Sequence, residues 1–156
     1  MLVLKSLFFT LVFPGTVTGL VPWLIVSRGI WMFDVGFYRY GGIFPIALGL
    51  PGLIWCIVEF ACVGRGTLAT IDPPRFAVRR GLYRVVRNPM YLCVVKILLG
   101  ESLLLQSWAI ALWAVSVAMI FHLFVVFYEE PNLRRRFGRE YEEYLRAVPR
   151  WLPIRR

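Results

Sequence analysis

Two polar segments in the C-terminal half of the sequence carry side chains that are able to bind a charged small molecule. The first covers residues 79–91 and contains Arg84, Arg87 and Asn88, and the second covers residues 129–151 and contains adjacent carboxylates, arginines and tyrosines. A long apolar stretch separates them. If that stretch folds as a hairpin across a bilayer, both of its ends return to the same membrane face, and the two polar segments meet there.

The first segment ends in Asn88-Pro89, a pair that favours the start of a helix, because Asn is a good N-cap and proline suits the first turn. The free backbone N–H groups and the positive dipole end of that helix would attract a carboxylate or a phosphate. Arg84 or Arg87 would complete such a site by bidentate pairing with the anion. The alternative is that these arginines only extend to the membrane surface and fix the topology.

The second segment opens with Glu129 and Glu130, directly after the last apolar run and at the predicted C-terminal end of a helix. Carboxylates are unfavourable there because the helix dipole prefers cations, and a pair that breaks a local rule indicates a functional role. A carboxylate can accept two hydrogen bonds from a ribose diol or one from an ammonium group. The alternative is an ion pair with Arg134, Arg135 or Arg136, which follow four to six residues later.

The elements that hold these segments are predicted to be membrane-spanning helices. Hydrophobic residues make up 59% of the 156 residues, and the mean hydropathy is +0.68, which is typical of a chain surrounded by lipid. A span requires roughly 20 residues. With a turn expected near Gln106-Ser107, the apolar runs predict an all-α integral membrane protein of a single domain, residues 1–156, with about four transmembrane helices at residues 6–27, 41–63, 89–105 and 108–128. A cleaved signal peptide is the alternative for the first run, which lacks a convincing small-residue cleavage site.

Basic residues outside these spans predict the orientation. Most of the 18 Lys and Arg residues lie between the second and third spans or after the fourth, and only Arg28 and Arg39 lie between the first and second. The positive-inside rule then places both termini and both polar segments in the cytoplasm. Contact with anionic headgroups accounts for the net charge of +9. Since no nucleic-acid-binding motif is present, the expected partner is a membrane and not nucleic acid.

The tail after the last span is predicted to be an amphipathic helix. Its apolar residues recur mostly at steps of three or four, which is typical of one helical stripe: Leu133, Phe137, Tyr141, Tyr144, Leu145 and Val148. Gly138 is expected to break this helix into two pieces. With arginines on the other faces, the pattern predicts a C-terminal interfacial helix lying on the membrane, which is compatible with a lid over a pocket.

Three ionisable residues, Lys96, Glu101 and His122, lie inside the predicted spans, where such residues indicate a candidate functional site. Lys96 and Glu101 lie about 140° apart around a helix and are not expected to form a simple pair. His122 is better explained as a buried structural histidine than as a base. The cysteines are expected to be small packed residues, and no metal site is predicted. Gly15 and Gly19 form a GxxxG pattern, which is typical of helix packing.

At the two polar segments the sequence resembles the isoprenylcysteine carboxyl methyltransferase family, whose relatives include the phospholipid N-methyltransferases. The elements that carry the resemblance, in order, are Gly81-Leu82-Tyr83-Arg84, Arg87-Asn88-Pro89-Met90-Tyr91, a hydrophobic hairpin, Glu129-Glu130, Leu133, Phe137-Gly138, Tyr141, Tyr144 and Val148-Pro149-Arg150. The resemblance covers roughly Gly81 to Trp151, just under half of the chain.

The resemblance implies an integral membrane enzyme that uses S-adenosylmethionine in a pocket at the cytoplasmic interface. The methyl acceptor would reach this pocket from the lipid, between helices. By the resemblance, the cofactor-binding residues are Arg87, Asn88, Pro89, Tyr91, Glu129, Glu130, Tyr141 and Tyr144, and the catalytic residues are Arg150 and Asn88. Arg150 would steer an anionic acceptor. The sequence departs from the family pattern at Asn88, where the family usually has His, and at Cys93, where it usually has Gly.

The residues have the chemistry that this cofactor requires. Its carboxylate suits a helix N-terminus and an arginine, its ribose diol suits a glutamate, and its sulfonium suits aromatic faces. The predicted function is therefore a methyltransferase that acts on a lipophilic acceptor, such as an isoprenylcysteine carboxylate or a phospholipid amine. The acceptor atom and the oligomeric state are left open.

Two other functions are compatible with parts of the sequence. A sterol-reductase-like enzyme with a nicotinamide cofactor would need a larger body than 156 residues. A non-catalytic four-helix membrane transporter or scaffold would explain the GxxxG pattern and Lys96, but it would not explain the order of the polar motifs.

Overall fold

The computed structural model describes residues 12–63 and 81–153. Residues 6–11 of the first predicted span and residues 79–80 of the first polar segment lie outside the described residues. Within the described ranges the regular elements are helices, which confirms the predicted all-α fold class.

The second and third helices begin and end close to the predicted residues, the fourth begins at the predicted residue, and residues before the described part of the first helix lie outside the described residues. The helices are α1 (Val12–Ser27), α2 (Ile43–Val63), α3 (Pro89–Leu104), α4 (Trp108–Phe124) and α5 (Glu130–Ala147). A π-helical turn interrupts α1 at Thr16–Leu20, and 3-10 turns precede α2 and α3 at Gly36–Gly42 and Gly81–Arg84. The start of α3 at Pro89, with Asn88 at the N-cap position, is as predicted.

Two helical segments, Gly36–Glu59 and Trp108–Ala147, are long and apolar enough to cross a membrane. Val12–Ser27 is a shorter apolar helix. The 16 residues of α3 would extend about 24 Å at 1.5 Å per residue, which is less than the roughly 30 Å of a hydrocarbon core. The predicted number of spans and their orientation therefore stay predictions.

The closest helix packing joins α2 to α3 through small residues. A Cβ atom at Gly42 would collide with the backbone of Gly100, and one at Gly49 would lie 2.9 Å from the carbonyl oxygen of Cys93. Small residues allow helix backbones to approach this closely in membrane proteins. Cys93 and Cys56 are both buried, which confirms their predicted role as packed residues.

The GxxxG pattern in α1 does not take part in this packing. A Cβ atom added at Gly15 or Gly19 would meet nothing within 4 Å. The prediction that this pair packs helices together is therefore wrong for contacts within the described chain, because the close approach of backbones occurs between α2 and α3 instead.

The predicted turn near Gln106-Ser107 is confirmed, since α3 ends at Leu104 and α4 begins at Trp108. Gln106 has a φ angle of 53°, and its Nε2 donates a hydrogen bond to Asp34 Oδ1 at 2.9 Å. These contacts tie the tip of the α3–α4 hairpin to the loop between α1 and α2. The polar segments lie at the opposite ends of the hairpin helices.

The largest difference from the prediction concerns the end of α4. A π-helical turn, Val125–Glu129, carries the chain directly into α5, so that Trp108–Ala147 forms one helical segment. Glu129 and Glu130 therefore do not lie at a helix C-terminus, and the prediction that they oppose the helix dipole there is wrong. A π turn of this kind is frequent at functional sites.

The amphipathic stripe of α5 is confirmed, as is its break. Tyr141, Tyr144 and Val148 are buried, and Leu133, Phe137 and Leu145 pack against them. Gly138 interrupts the helix with φ 50° and ψ −127°. The stripe covers the first polar segment, because the Tyr144 hydroxyl donates a hydrogen bond to the carbonyl oxygen of Tyr83 at 2.7 Å. An interfacial position on a membrane stays a prediction.

Candidate active site

Glu130 lies at the centre of a buried polar cluster, with only 6% of its surface exposed. Arg87 Nη1 donates a hydrogen bond to Glu130 Oε1 at 2.8 Å. Arg150 donates from Nε to Oε1 at 2.8 Å and from Nη2 to Oε2 at 2.9 Å. This pairing raises the pKa of Arg150. Two arginines therefore surround one buried carboxylate and stabilise its ionised form.

Further hydrogen bonds join the two polar segments beside this cluster. The backbone N–H of Arg87 donates to the carbonyl oxygen of Pro149 at 2.9 Å, and Asn88 Nδ2 donates to the carbonyl oxygen of Arg150 at 3.2 Å. The side chain of Asn88 makes no capping hydrogen bond to α3. The predicted capping role is therefore wrong, because the amide is used to hold the C-terminal segment in place.

Glu129 lies next to Glu130 in the chain but has a different environment. Its Oε2 accepts a hydrogen bond from the Tyr91 hydroxyl at 3.1 Å, and it forms no ion pair with any lysine or arginine of the described residues. Burial raises the pKa of Glu129, the charge of Glu130 raises it further, and the Tyr91 hydrogen bond partly opposes this. The Tyr91 ring stacks on Phe121, with ring centroids 4.4 Å apart.

Two groups in the cluster lack an interaction partner among the described residues. Arg87 Nε is buried and has no hydrogen-bond partner there, and Glu129 has no cation. S-adenosylmethionine carries a carboxylate that suits a guanidinium N–H, and a ribose diol and an ammonium group that suit a carboxylate. The residues present therefore fit this cofactor.

Most of the predicted site residues come together here. The residues in or directly beside the cluster are Arg87, Asn88, Pro89, Tyr91, Glu129, Glu130, Tyr141, Tyr144 and Arg150. Tyr141 lies beside Tyr144. Burial raises the pKa of Tyr141, and the nearby charges of Glu130 and Glu129 raise this pKa further. Of the two arginines considered for an anion clamp, Arg87 belongs to the site, whereas Arg84 is exposed.

The alternative explanation of the adjacent glutamates is not supported. Arg134, Arg135 and Arg136 are exposed, and none of them pairs with Glu129 or Glu130. The alternative of local ion pairs between the adjacent glutamates and these three arginines is therefore wrong, because Glu130 is bonded to arginines that are distant in sequence.

An apolar cleft of about 240 Å³ lies between α3 and α4 on the other side of Tyr91. Its lining consists of Tyr91, Leu92, Val95, Ala118, Phe121, His122 and Trp151. Trp151 Nε1 donates a hydrogen bond to His122 Nδ1 at 3.2 Å. Because Tyr91 lines the cleft and also bonds Glu129, the cleft adjoins the polar cluster.

The ionisable residues of the predicted spans differ in their surroundings. His122 is exposed at the edge of the cleft, so the prediction of a buried structural histidine is wrong. Lys96 is exposed, and Glu101 Oε2 is buried without a partner among the described residues. Lys96 and Glu101 do not pair, as predicted.

Three residues of this region were missed by the sequence reasoning: Phe121, Tyr83 and Trp151. Phe121 is one of many apolar residues in α4, and no signal distinguishes it. Tyr83 and Trp151 lie within or next to the two polar segments. Their proximity to Arg84 and Arg150 is the signal that could have identified them.

The family model for phospholipid methyltransferases matches residues 53–140, which is just over half of the 156 residues. The match includes Arg87, Tyr91, Glu129 and Glu130, and it ends before Tyr141 and Arg150. No curated protein and no solved structure matches the chain. The chain belongs to the phospholipid methyltransferase family, which includes the isoprenylcysteine carboxyl methyltransferases.

Proposed function

We propose that the protein is an S-adenosylmethionine-dependent methyltransferase whose acceptor is a lipophilic molecule that resides in the membrane, such as an isoprenylcysteine carboxylate or a phospholipid amine. Membership of a methyltransferase family supports the reaction type. The observation that carries the proposal at the level of residues is the contrast between Glu130, which two arginines neutralise, and Glu129, which no cation of the described residues contacts.

In this proposal Arg87 and Glu129 bind the cofactor directly. Arg87 uses Nη1 to bond Glu130, and its Nε remains to bind an anionic group. Glu129 accepts one hydrogen bond from Tyr91 and has further lone pairs for a diol or an ammonium group. S-adenosylmethionine supplies the methyl group that is transferred. The proposed cofactor site around Arg87 and Glu129 is also lined by Asn88, Pro89, Tyr141 and Tyr144.

Glu130 has a different role in this proposal. Both of its oxygens are bonded to Arg150, and one of them is also bonded to Arg87. It therefore positions the two arginines and is not itself the principal cofactor ligand. Asn88 is likewise a positioning residue, since its amide bonds the Arg150 carbonyl. Arg150 retains Nη1, which is available to steer an anionic acceptor.

The stacked aromatic pair Tyr91 and Phe121 lines the apolar cleft, and Tyr91 also bonds Glu129 of the polar cluster. Aromatic faces attract cations, including a sulfonium. An acceptor in the cleft would meet the reactive end of the cofactor near this pair, and a fixed mutual orientation supplies much of the rate of such a displacement. The apolar lining keeps water away from the reacting atoms.

The chain as a whole forms one membrane domain in this proposal. The four predicted spans return both polar segments to the same face, and the positive-inside rule makes that face cytoplasmic. The acceptor then enters laterally from the lipid, between α3 and α4. The exposed apolar surface of α4, which includes Leu112, Val115, Met119 and Ile120, supports contact of this helix with lipid.

The proposal is tested by methyl transfer in proteoliposomes. The purified protein is incubated with S-adenosylmethionine that carries a tritiated methyl group, in vesicles prepared from a total membrane lipid extract. Label in the organic phase that depends on the wild-type protein and is lost in the Glu129→Gln variant supports the proposal. The Glu143→Gln variant, which changes an exposed residue of α5, serves as a matched control. If the wild type transfers no label and does not bind the cofactor, a transporter or scaffold becomes the better explanation.

A further inference from the structure

The cleft between α3 and α4 contains few polar groups, and most of them already form hydrogen bonds. The Tyr91 hydroxyl donates to Glu129, and the indole N–H of Trp151 donates to Nδ1 of His122. The remaining lining residues are apolar: Leu92, Val95, Ala118 and Phe121. Nε2 of His122 has no hydrogen-bond partner among the described residues.

The hydrogen bond from Trp151 determines which nitrogen of His122 carries the proton. An indole N–H can only donate, so the nitrogen that faces it must offer a lone pair. A neutral imidazole with a lone pair on Nδ1 carries its proton on Nε2. His122 is therefore a hydrogen-bond donor at Nε2 in this arrangement.

Trp151 is held in position by its neighbour in the chain. Arg150 makes two hydrogen bonds to Glu130, and Asn88 bonds the Arg150 carbonyl oxygen. The residue that follows, Trp151, lines the cleft. Two consecutive residues, Arg150 and Trp151, therefore connect the polar cluster to the cleft.

The size of the cleft restricts what it can hold. Its volume of about 240 Å³ is below the roughly 300–1,000 Å³ of pockets that enclose a whole small molecule. The cleft is therefore suited to the reacting end of a longer molecule, whose remaining apolar part lies in the lipid beside α4.

We propose that His122 and Trp151 position the methyl acceptor in this cleft: Trp151 lines the cleft and fixes the tautomer, and His122 donates its Nε2–H to an oxygen atom of the acceptor. This inference rests on the proposed function and narrows its acceptor class. A carboxylate or a hydroxyl oxygen can accept such a bond. An ammonium group with no oxygen atom beside it cannot, because it has no lone pair.

Two substitutions of His122 distinguish the role of Nδ1 from the role of Nε2. His122→Asn keeps an acceptor close to the position of Nδ1, and so preserves the bond from Trp151, but removes the donor at Nε2. His122→Gln places an amide N–H close to the position of Nε2 but removes the acceptor for Trp151. Trp151→Phe keeps an aromatic ring and removes the indole N–H. The melting temperature of each variant shows whether it is folded, so that a binding defect is distinguished from misfolding.

The probes are three molecules with the same chain and different ends: hexadecanoate, hexadecanol and hexadecylamine, each brominated at the same chain carbon. They are titrated into protein in nanodiscs of neutral lipid. Bromine quenches tryptophan fluorescence at short range, and the part of the quenching that is absent in Trp151→Phe reports occupancy of the cleft. Binding of S-adenosylhomocysteine, the product form of the cofactor, is measured on the same samples.

The wild type is expected to bind hexadecanoate and hexadecanol more tightly than hexadecylamine. His122→Asn should weaken hexadecanoate by about 10- to 100-fold, as expected for one hydrogen bond to a charged group, and should leave hexadecylamine unchanged. Preference for the amine, equal binding of all three probes, or no effect of His122→Asn overturns the proposal. Failure to bind S-adenosylhomocysteine would instead count against the methyltransferase function. Binding of the brominated probes tests the role of His122 separately, because it does not require the cofactor.

Discussion

Arg150 contacts both carboxylate oxygens of Glu130, through Nε at 2.8 Å and through Nη2 at 2.9 Å. The two residues are separated by most of α5, so this bidentate pair folds the end of the chain back onto the start of that helix. Arg87 joins them from the residues that precede α3. The cluster therefore connects parts of the chain that only the fold brings together, and within residues 12–63 and 81–153 it leaves Glu129 without a cation.

The first prediction concerns the structural role of Glu130. Glu130→Gln removes the charge that two arginines share, and removal of one member of a buried ion pair costs about 3–5 kcal/mol. We expect the free energy of unfolding to fall by about 3 kcal/mol, measured by thermal or denaturant unfolding in detergent.

The control for this measurement is Glu143→Gln. Glu143 pairs with Arg139 at 3.5 Å, and both side chains are largely exposed. An exposed helix pair of this kind contributes about 0.3–0.5 kcal/mol. An equally small effect of Glu130→Gln would show that the buried cluster does not stabilise the fold.

The second prediction concerns Glu129 and pH. Burial raises the pKa of Glu129 above its usual value of 4.5, so the folded state binds the proton more tightly than the unfolded state. The free energy of unfolding therefore falls as the pH rises through the unfolded value toward the folded value. Glu129→Gln has no carboxyl group to ionise, so its free energy of unfolding should be higher than that of the wild type at neutral pH. The same variant should bind the cofactor less well.

This prediction is checked with melting temperatures of both proteins between neutral pH and about pH 4.5. The advantage of Glu129→Gln should shrink as the pH is lowered, because the wild-type carboxyl becomes protonated. A wild type that is more stable than the variant at neutral pH would contradict the assignment of Glu129 as a half-buried carboxylate that no described cation contacts.

The third prediction concerns Gly81, which has a φ angle of 53°. A side chain there is strained by about 1–3 kcal/mol, and its Cβ atom would also collide with the carboxylate of Glu59. Gly81→Ala should therefore lower the melting temperature. The double variant with Glu59→Ala should regain the loss of melting temperature that the collision causes. It should not regain the loss that backbone strain causes. If the two effects simply add, the collision does not contribute.

The fourth prediction concerns Asn88, whose amide donates to the Arg150 carbonyl oxygen at 3.2 Å. Asn88→Ala should reduce the free energy of unfolding by about 1 kcal/mol, as is typical of one neutral hydrogen bond. Asn88→His, which introduces the residue that the resembled family usually has, should recover part of this loss through a ring N–H. Unchanged stability of Asn88→Ala would show that the amide does not hold the C-terminal segment.

Much of the fold could be predicted from local signals. Asn88-Pro89 marks the start of α3, and the interruption at Gln106-Ser107 marks the hairpin turn. The spacing of Tyr141, Tyr144 and Val148 predicts the buried stripe of α5. These features depend on backbone preferences and periodicity, which act over a few residues.

The parts that were not predicted depend on long-range contacts. The π turn at Val125–Glu129 has no strong local signal, and it changes the environment of the adjacent carboxylates from a helix end to a continuous helix. The partners of Glu130 come from residues 87 and 150, while nearer arginines were available in the sequence. The bond between Trp151 and His122 likewise requires the tail to fold over α4.

The most direct test of the central claim is the thermal stability of the purified protein with and without S-adenosylhomocysteine. A ligand at 100 times its dissociation constant should stabilise the folded state by about 2.7 kcal/mol. We expect a saturable rise in melting temperature for the wild type and for Glu143→Gln, with the midpoint shifted to about 10- to 100-fold higher ligand in Glu129→Gln. No rise at millimolar ligand in folded wild-type protein, or an equal rise in Glu129→Gln, would contradict the proposed cofactor site.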